Sequence, residues 1–216
     1  MKQSTASLIE HGLQHHLIRD SDLAFIFGGS PARRYALVNK ALKAGELIRL
    51  TRGMYLLADK YQAQRFSQYY LANRLVPHSI VSAESALSFH GWIPERIVQT
   101  TSVTATGKSK IFHTPVGTFT YRKVPITVLS FMTGVDILKQ DKHYMHITTP
   151  LRAIVDYVYW HKVKNGNCDF LINSLRIEKS HLTSISAEDI RRLQPLYRNL
   201  TVKKFLLTLL KELHGQ

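Results

Sequence analysis

The chain reads as an α+β protein: a winged helix-turn-helix over residues 1–60, then a mixed α+β domain over residues 61–216. Three observations predict this. Helix-periodic segments follow one another closely up to Gly45. Two short apolar runs flank Thr51-Arg52-Gly53. Beyond them, Thr- and Val-rich strand segments and capped helices alternate with neither a βαβ repeat nor an internal repeat.

Leu8, Ile9, Gly12, Leu13, His16 and Leu17 recur at helical spacing, which predicts one amphipathic helix over 5–18. Asp20 or Ser21 suits the cap of a short second helix carrying Leu23, Ala24, Ile26 and Phe27. Gly28-Gly29 ends it, since glycine enters left-handed conformations without a steric cost. Ser30 then suits an N-cap and Pro31 the first helical position, where no amide donor is needed. The third helix presents Leu37, Val38, Ala41 and Leu42 as its buried stripe and stops at Gly45. Leu47-Ile48-Arg49-Leu50 and Met54-Tyr55-Leu56-Leu57 read as strands of a tight hairpin. Helix, tight glycine turn, helix and hairpin, in that order, make the pattern of a winged helix.

Function follows from that pattern and from charge. The chain carries 29 Lys and Arg against 15 Asp and Glu, a net +14, which favours a polyanionic partner. Pro31–Leu57 holds six basic residues and one acidic residue, Glu46. A recognition helix reads base edges in the major groove with residues near its N-terminus. The expected DNA-binding set is Ser30, Arg33, Arg34, Tyr35, Asn39, Lys40, Lys43, Arg49 and Arg52. Arg33 is placed for a bidentate contact to guanine and Asn39 for adenine. Lys40 and Lys43 suit phosphates, and Arg52 at the hairpin tip suits a minor groove or the backbone. On a helical wheel Arg34 falls nearer the buried side, with a phosphate at the helix start within its reach. The expected partner is double-stranded DNA.

In the second half, Tyr61–Leu75 reads as a helix ended by Pro77, and a short strand leads from Ile80 to a helix capped near Ser82 and closed by Gly91. Val98–Thr106 has strand composition, Thr114-Pro115-Val116-Gly117 reads as a hairpin turn, and Tyr144–Thr148 as another strand. Thr149-Pro150 repeats the cap-plus-proline device before a helix on which Arg152 and Asp156 stand four apart. Ser186 and Asp189 begin a further helix, and the last, from about Leu200 to Leu210, buries Val202, Phe205, Leu206, Leu209 and Leu210. Residues 61–216 carry 20 basic and 10 acidic side chains, enough to dock RNA or a partner or to widen a DNA footprint.

Enzyme chemistry finds little support. Cys168 is the single cysteine, which excludes a disulfide within the chain and a Cys-rich metal site, and Asn165, Gly166, Asn167 and Asp169 around it supply no base. His11 and His15 have zinc-compatible spacing, with His16 beside them, but no HExxH pattern or carboxylate completes a site. Ser85 and His90 lack a GxSxG elbow, so His90 reads as a helix C-terminal histidine. Glu84, Glu95, Asp136, Asp141 and Asp156 are scattered rather than clustered for Mg²⁺, and Gly107-Lys108-Ser109 is not a Walker loop. A non-enzyme without metal or cofactor is expected. No secretory apolar segment and no 18-residue apolar run is present, so a soluble, cytoplasmic protein without a membrane partner is expected.

The runs TRGMYLL, VSAESALSFHGWIPE, TSVTATGKSK, GTFTYRKV and TTPLRAIVDYVYW, across roughly residues 5–160, resemble the AbiEi-like antitoxins and regulators of type IV toxin–antitoxin systems. The resemblance implies a winged helix that represses its own promoter, with Arg33, Arg34, Lys40, Lys43, Arg49 and Arg52 in the DNA-binding role. It further implies a C-terminal antitoxin-like domain that counteracts a nucleotidyltransferase-type toxin without a stable complex; orphan regulators without a toxin are the alternative. Ser85, His90, Gly91, Trp92, Pro94 and Glu95 match the family's central motif, to which the sequence assigns no physical role.

Overall fold

The computed structural model describes residues 1–95, 97–140, 142–163 and 168–215; Asp141 and the residues 165–167 beside Cys168 lie outside them. The fold is mixed α+β, as expected.

The first helix, α1 (Gln3–Glu10), covers only the first half of the expected 5–18 segment. Gly12 adopts φ 75° and its N–H returns to the Ile9 carbonyl, so the helix closes there. A 3-10 turn, Leu13–His15, follows, and Ile18–Arg19 forms a short strand, β1. That strand was not expected; it exists because Ile18 and Arg19 pair with Tyr55 and Met54 of the hairpin, a partner distant in sequence. The second helix, α2 (Asp20–Phe27), starts one residue before the expected caps: the Arg19 N–H donates to the Asp22 carboxylate at 2.7 Å. Helix α3 (Pro31–Lys43) starts where its cap predicts, with Ser30 Oγ accepting the Arg33 N–H, and ends at Gly45 with Glu46 N–H donating to the Ala41 carbonyl.

Strands β2 (Leu47–Thr51) and β3 (Met54–Leu57) pair antiparallel, giving the order β1-β3-β2. At the turn, Gly53 has φ 74°, and a Cβ there would lie 2.6 Å from the Asp20 carboxylate, whose own backbone N–H donates to the Gly53 carbonyl. Only glycine fits.

The hairpin has two buried faces. Leu47, Tyr55 and Leu57 join Leu8, Ile18, Leu23, Val38 and Ala41 in an N-terminal core. Leu50 and Leu56, with Ile48 and Met54, join Leu17 in the larger core of the rest of the chain. The strand period of two thus assigns alternate residues to two cores, and the sheet is the common wall of both units.

The expected helix over 61–75 is reduced to α4 (Gln68–Leu75), capped by Ser67. The residues before it are held otherwise: Gln62 Nε2 donates to the Leu57 carbonyl, Ala63 N–H to the Gln14 carbonyl, and Gln64 meets His143. A mixed six-stranded sheet then forms from β4 (Ile80–Val81), β5 (Gln99–Thr104), β6 (Lys110–Thr114), β7 (Gly117–Lys123), β8 (Val135–Gln140) and β9 (His143–Thr148), in the order β6-β7-β5-β4-β9-β8. β4–β9 and β5–β7 run parallel; the other pairs are antiparallel. The expected turn at 114–117 joins β6 to β7, with Thr114 paired to Gly117. β8 was not anticipated; its half-exposed, charge-interrupted pattern is that of an edge strand.

Helix α4 packs on β4, β5 and β9, while α5 (Ala83–Phe89) and α6 (Pro150–His161) pack on each other. The tail folds as α7 (Asp169–Asn173), α8 (Lys179–Thr183), α9 (Ala187–Leu193) and α10 (Leu200–His214), with α10 lying along α6 and α9. The caps expected at Thr149 and Ser186 are present, and the α10 stripe is buried as read. No described helix is long and apolar enough to cross a membrane.

Candidate nucleic-acid interface

Between α3 and the β2–β3 hairpin lies a groove of about 320 Å³. Arg34 and Tyr35 from α3, Arg49 from β2 and Arg52 from the turn line it, with Asp20 at its floor by Gly53. Tyr35 is 61% exposed. Three arginines, from α3, β2 and the turn, therefore line one concavity. Among the described residues none of the three makes an ion pair. At the groove wall, burial first and the Asp20 carboxylate second push the Tyr55 phenol up, so it stays a neutral hydroxyl.

At the start of α3, Arg34 is half-buried and Arg33 exposed, as the wheel implies, but their hydrogen bonds set their tasks. Arg33 folds back across the α2–α3 turn: its guanidinium donates to the Phe27 carbonyl at 2.8 Å and packs on Gly29. It thus satisfies a C-terminal carbonyl of α2. Arg34, read as the inward one, lines the groove while donating to the Gly29 carbonyl. Ser30 is occupied as the N-cap, Asn39 is half-buried, and Lys40 and Lys43 are exposed. α3, β2 and β3 contain no acidic residue; Glu46, between α3 and β2, is buried and accepts the Lys2 N–H at 2.8 Å.

The central motif is built into the framework. Ser85, fully buried, accepts the Thr101 N–H at 2.8 Å and donates to the Gln99 carbonyl, locking α5 to β5. His90 ends α5, but its ring does more than stabilise the last turn: Nε2 donates to the Thr148 carbonyl at 2.9 Å, tying α5 to β9. Gly91, φ 71°, permits Gly91 N–H to reach Ser88 and Trp92 N–H to reach Leu87. Trp92 stacks on His181 of α8, and Glu95 pairs with Arg176. Pro94 lies exposed between them.

Beneath the motif is a buried polar cluster. Arg152 and Asp156, both fully buried, pair at 3.2 Å; Asp156 also accepts hydrogen bonds from Ser82 and Tyr197, and Arg152 donates to the Thr133 carbonyl. The spacing of four foretold the pair but not its burial, which depends on Ser82 and Tyr197 arriving from elsewhere in the chain. Burial pushes the Tyr197 phenol up, with Asp156 adding to it. Cys168 is buried, and burial together with Glu212 pushes its thiol up to about 12, where it is a poor nucleophile. Among the described residues no three His, Cys, Asp or Glu side chains converge as metal ligands. Glu84 is paired with His161, and Glu95 and Asp156 with arginines. Neither the family models nor the curated proteins compared with this chain match it.

Proposed function

We propose that the chain is a DNA-binding regulator whose N-terminal unit is a winged helix-turn-helix, with α2 and α3 as the helix pair and the β2–β3 hairpin as the wing. The observation that carries this reading is the groove in which Arg34, Arg49 and Arg52 meet without ion-pair partners, beside an α3 face carrying Lys40 and Lys43. Guanidiniums suit phosphate oxygens, which they contact bidentately. In this reading α3 enters the major groove, the wing straddles the backbone, and Arg33 shapes the turn as much as it reads bases.

The resemblance of the sequence to AbiEi-like antitoxins extends the reading. The regulator represses its own promoter, and residues 61–216 counteract a nucleotidyltransferase-type toxin, in the cytoplasm and without catalysis or cofactor. The motif residues then serve as scaffold, not as a reaction centre.

The test is binding of the full chain to duplex DNA as salt is varied. Each phosphate contact contributes about 0.9 to the slope of log K against log salt. Arg34→Ala/Arg52→Ala is expected to lower that slope by about two. Absence of binding to any duplex at low salt would refute the reading. Coexpression with a nucleotidyltransferase encoded beside its gene tests the antitoxin role, with restored growth expected.

A further inference from the structure

Two edge strands from different sheets lie side by side: β2 of the N-terminal sheet and β6 of the six-stranded sheet approach within 8 Å between Cα atoms. They are not hydrogen-bonded to each other; each sheet ends there. β2 carries Arg49 into the groove. The segment that supplies β6 has an unusual composition. Between Glu95 and Asp136 the chain contains no acidic residue, yet it holds Arg96, Lys108, Lys110, Arg122 and Lys123.

Within the described part of that segment, Lys108, Lys110 and Lys123 are exposed and make no ion pair among the described residues. Lys110 pairs in register with Tyr121, two residues before Lys123, so all three lysines occupy the same end of the β6–β7 ribbon. Arg122 is engaged elsewhere, its guanidinium 5.3 Å from the centre of the Trp160 ring. The acidic residues of the chain stand on other elements, such as Asp20 and Asp22 of α2 and Glu188 and Asp189 of α9. The elements α3, β2, β3, β6 and β7 therefore carry no carboxylate of their own, and Asp20 of α2 is the acidic residue that lines the groove between the first three.

We infer that the β6–β7 ribbon is a second contact surface for the DNA backbone, so that one duplex is gripped by both domains at once. The inference rests on the DNA-binding reading above and adds to it. The ligand is a run of phosphates beyond the wing, contacted without reading sequence, since lysine is a compact point charge and not a fork matched to base edges. The fold supports such a grip: Ile48, Leu50, Met54 and Leu56 of the hairpin pack into the core that also holds β7, which fixes wing and ribbon to a common wall.

The experiment compares full-length wild type, Lys108→Ala/Lys110→Ala and Lys203→Ala/Lys211→Ala on random-sequence duplex DNA over a range of salt concentrations. The last pair sits on α10, which packs on α6 and α9, and removes the same net charge away from the ribbon. The ribbon variant is expected to lower the salt slope by about 1.8 and to weaken binding at 0.1 M salt by at least about tenfold. The α10 variant is expected to match wild type. Equal slopes for wild type and the ribbon variant, with Arg34→Ala/Arg52→Ala still lowering the slope, would overturn the second surface and leave the groove standing. Equal losses in the ribbon and α10 variants would reduce the effect to net charge and overturn it too. No duplex binding by wild type would remove the DNA-binding reading itself. Stronger ribbon-dependent binding of single-stranded RNA than of duplex would overturn the assignment to DNA.

Discussion

Arg33 and Arg34 are neighbours with different tasks; a helical wheel gives their directions but not the acceptors that fix those tasks. Arg33 finds the open Phe27 carbonyl at the end of α2. Arg33→Ala should therefore lower stability by about 0.5–1 kcal/mol, an ordinary net hydrogen bond, in addition to any effect on DNA; urea unfolding of the free protein measures the first part alone. His16 offers a second test at this scale. It lies 6.4 Å, ring to ring, from both His15 and His143. Desolvation first, then the charges of His143, His15 and Arg74, hold its imidazole below the ordinary 6.5, with Asp22 opposing. A histidine whose folded value is depressed is charged more readily when unfolded, so stability is retained above the unfolded value and falls as pH drops through it. The unfolding midpoint should decline as pH falls through the ordinary histidine value of 6.5, and less steeply in His16→Gln.

At the level of elements, the hairpin and α6 show how one segment serves two purposes. In α6 the Arg152–Asp156 pair is fully buried and shares hydrogen bonds with Ser82 at the start of α5 and Tyr197 before α10. A buried pair gains little over well-packed apolar residues, but breaking it strands a charge. Asp156→Ala is expected to cost about 3–5 kcal/mol in urea denaturation, and the double replacement Arg152→Met/Asp156→Leu distinctly less. Equal losses would show that the cluster contributes through packing and not through charge. Ser85 and His90 act in the same manner on a smaller scale, pinning α5 to β5 and β9.

For the whole molecule, the shared hairpin governs independence. A fragment of residues 1–60 keeps the N-terminal core but bares Leu17, Leu50 and Leu56, with half-buried Ile48 and Met54. Losing the cover of several apolar side chains, each contributing about 1.5–3 kcal/mol, exceeds what so small a unit can spare. The fragment is expected to be unfolded or aggregated by circular dichroism and gel filtration, whereas the full chain is folded. The groove between α3 and the hairpin then depends on the whole chain for its stability.

Much of this architecture is local and was legible in residues. Ser30-Pro31, Thr149-Pro150 and Ser186 start helices because a side-chain oxygen satisfies an orphan amide a few residues on, a matter of short-range geometry. Gly45, Gly53 and Gly91 mark ends and turns because each needs positive φ. The apolar period of α10 named its buried face without help. Other features answer to partners far along the chain. β1 follows from its pairing with the hairpin, and the shortening of α4 from bonds to Leu57, Gln14 and His143. The groove of Arg34, Arg49 and Arg52 exists only where α3 meets the hairpin, and β6 comes beside β2 only because two sheet edges adjoin. Charge and cap chemistry are carried by each residue and survive in a linear reading. Convergence is carried by packing, which the sequence by itself does not display.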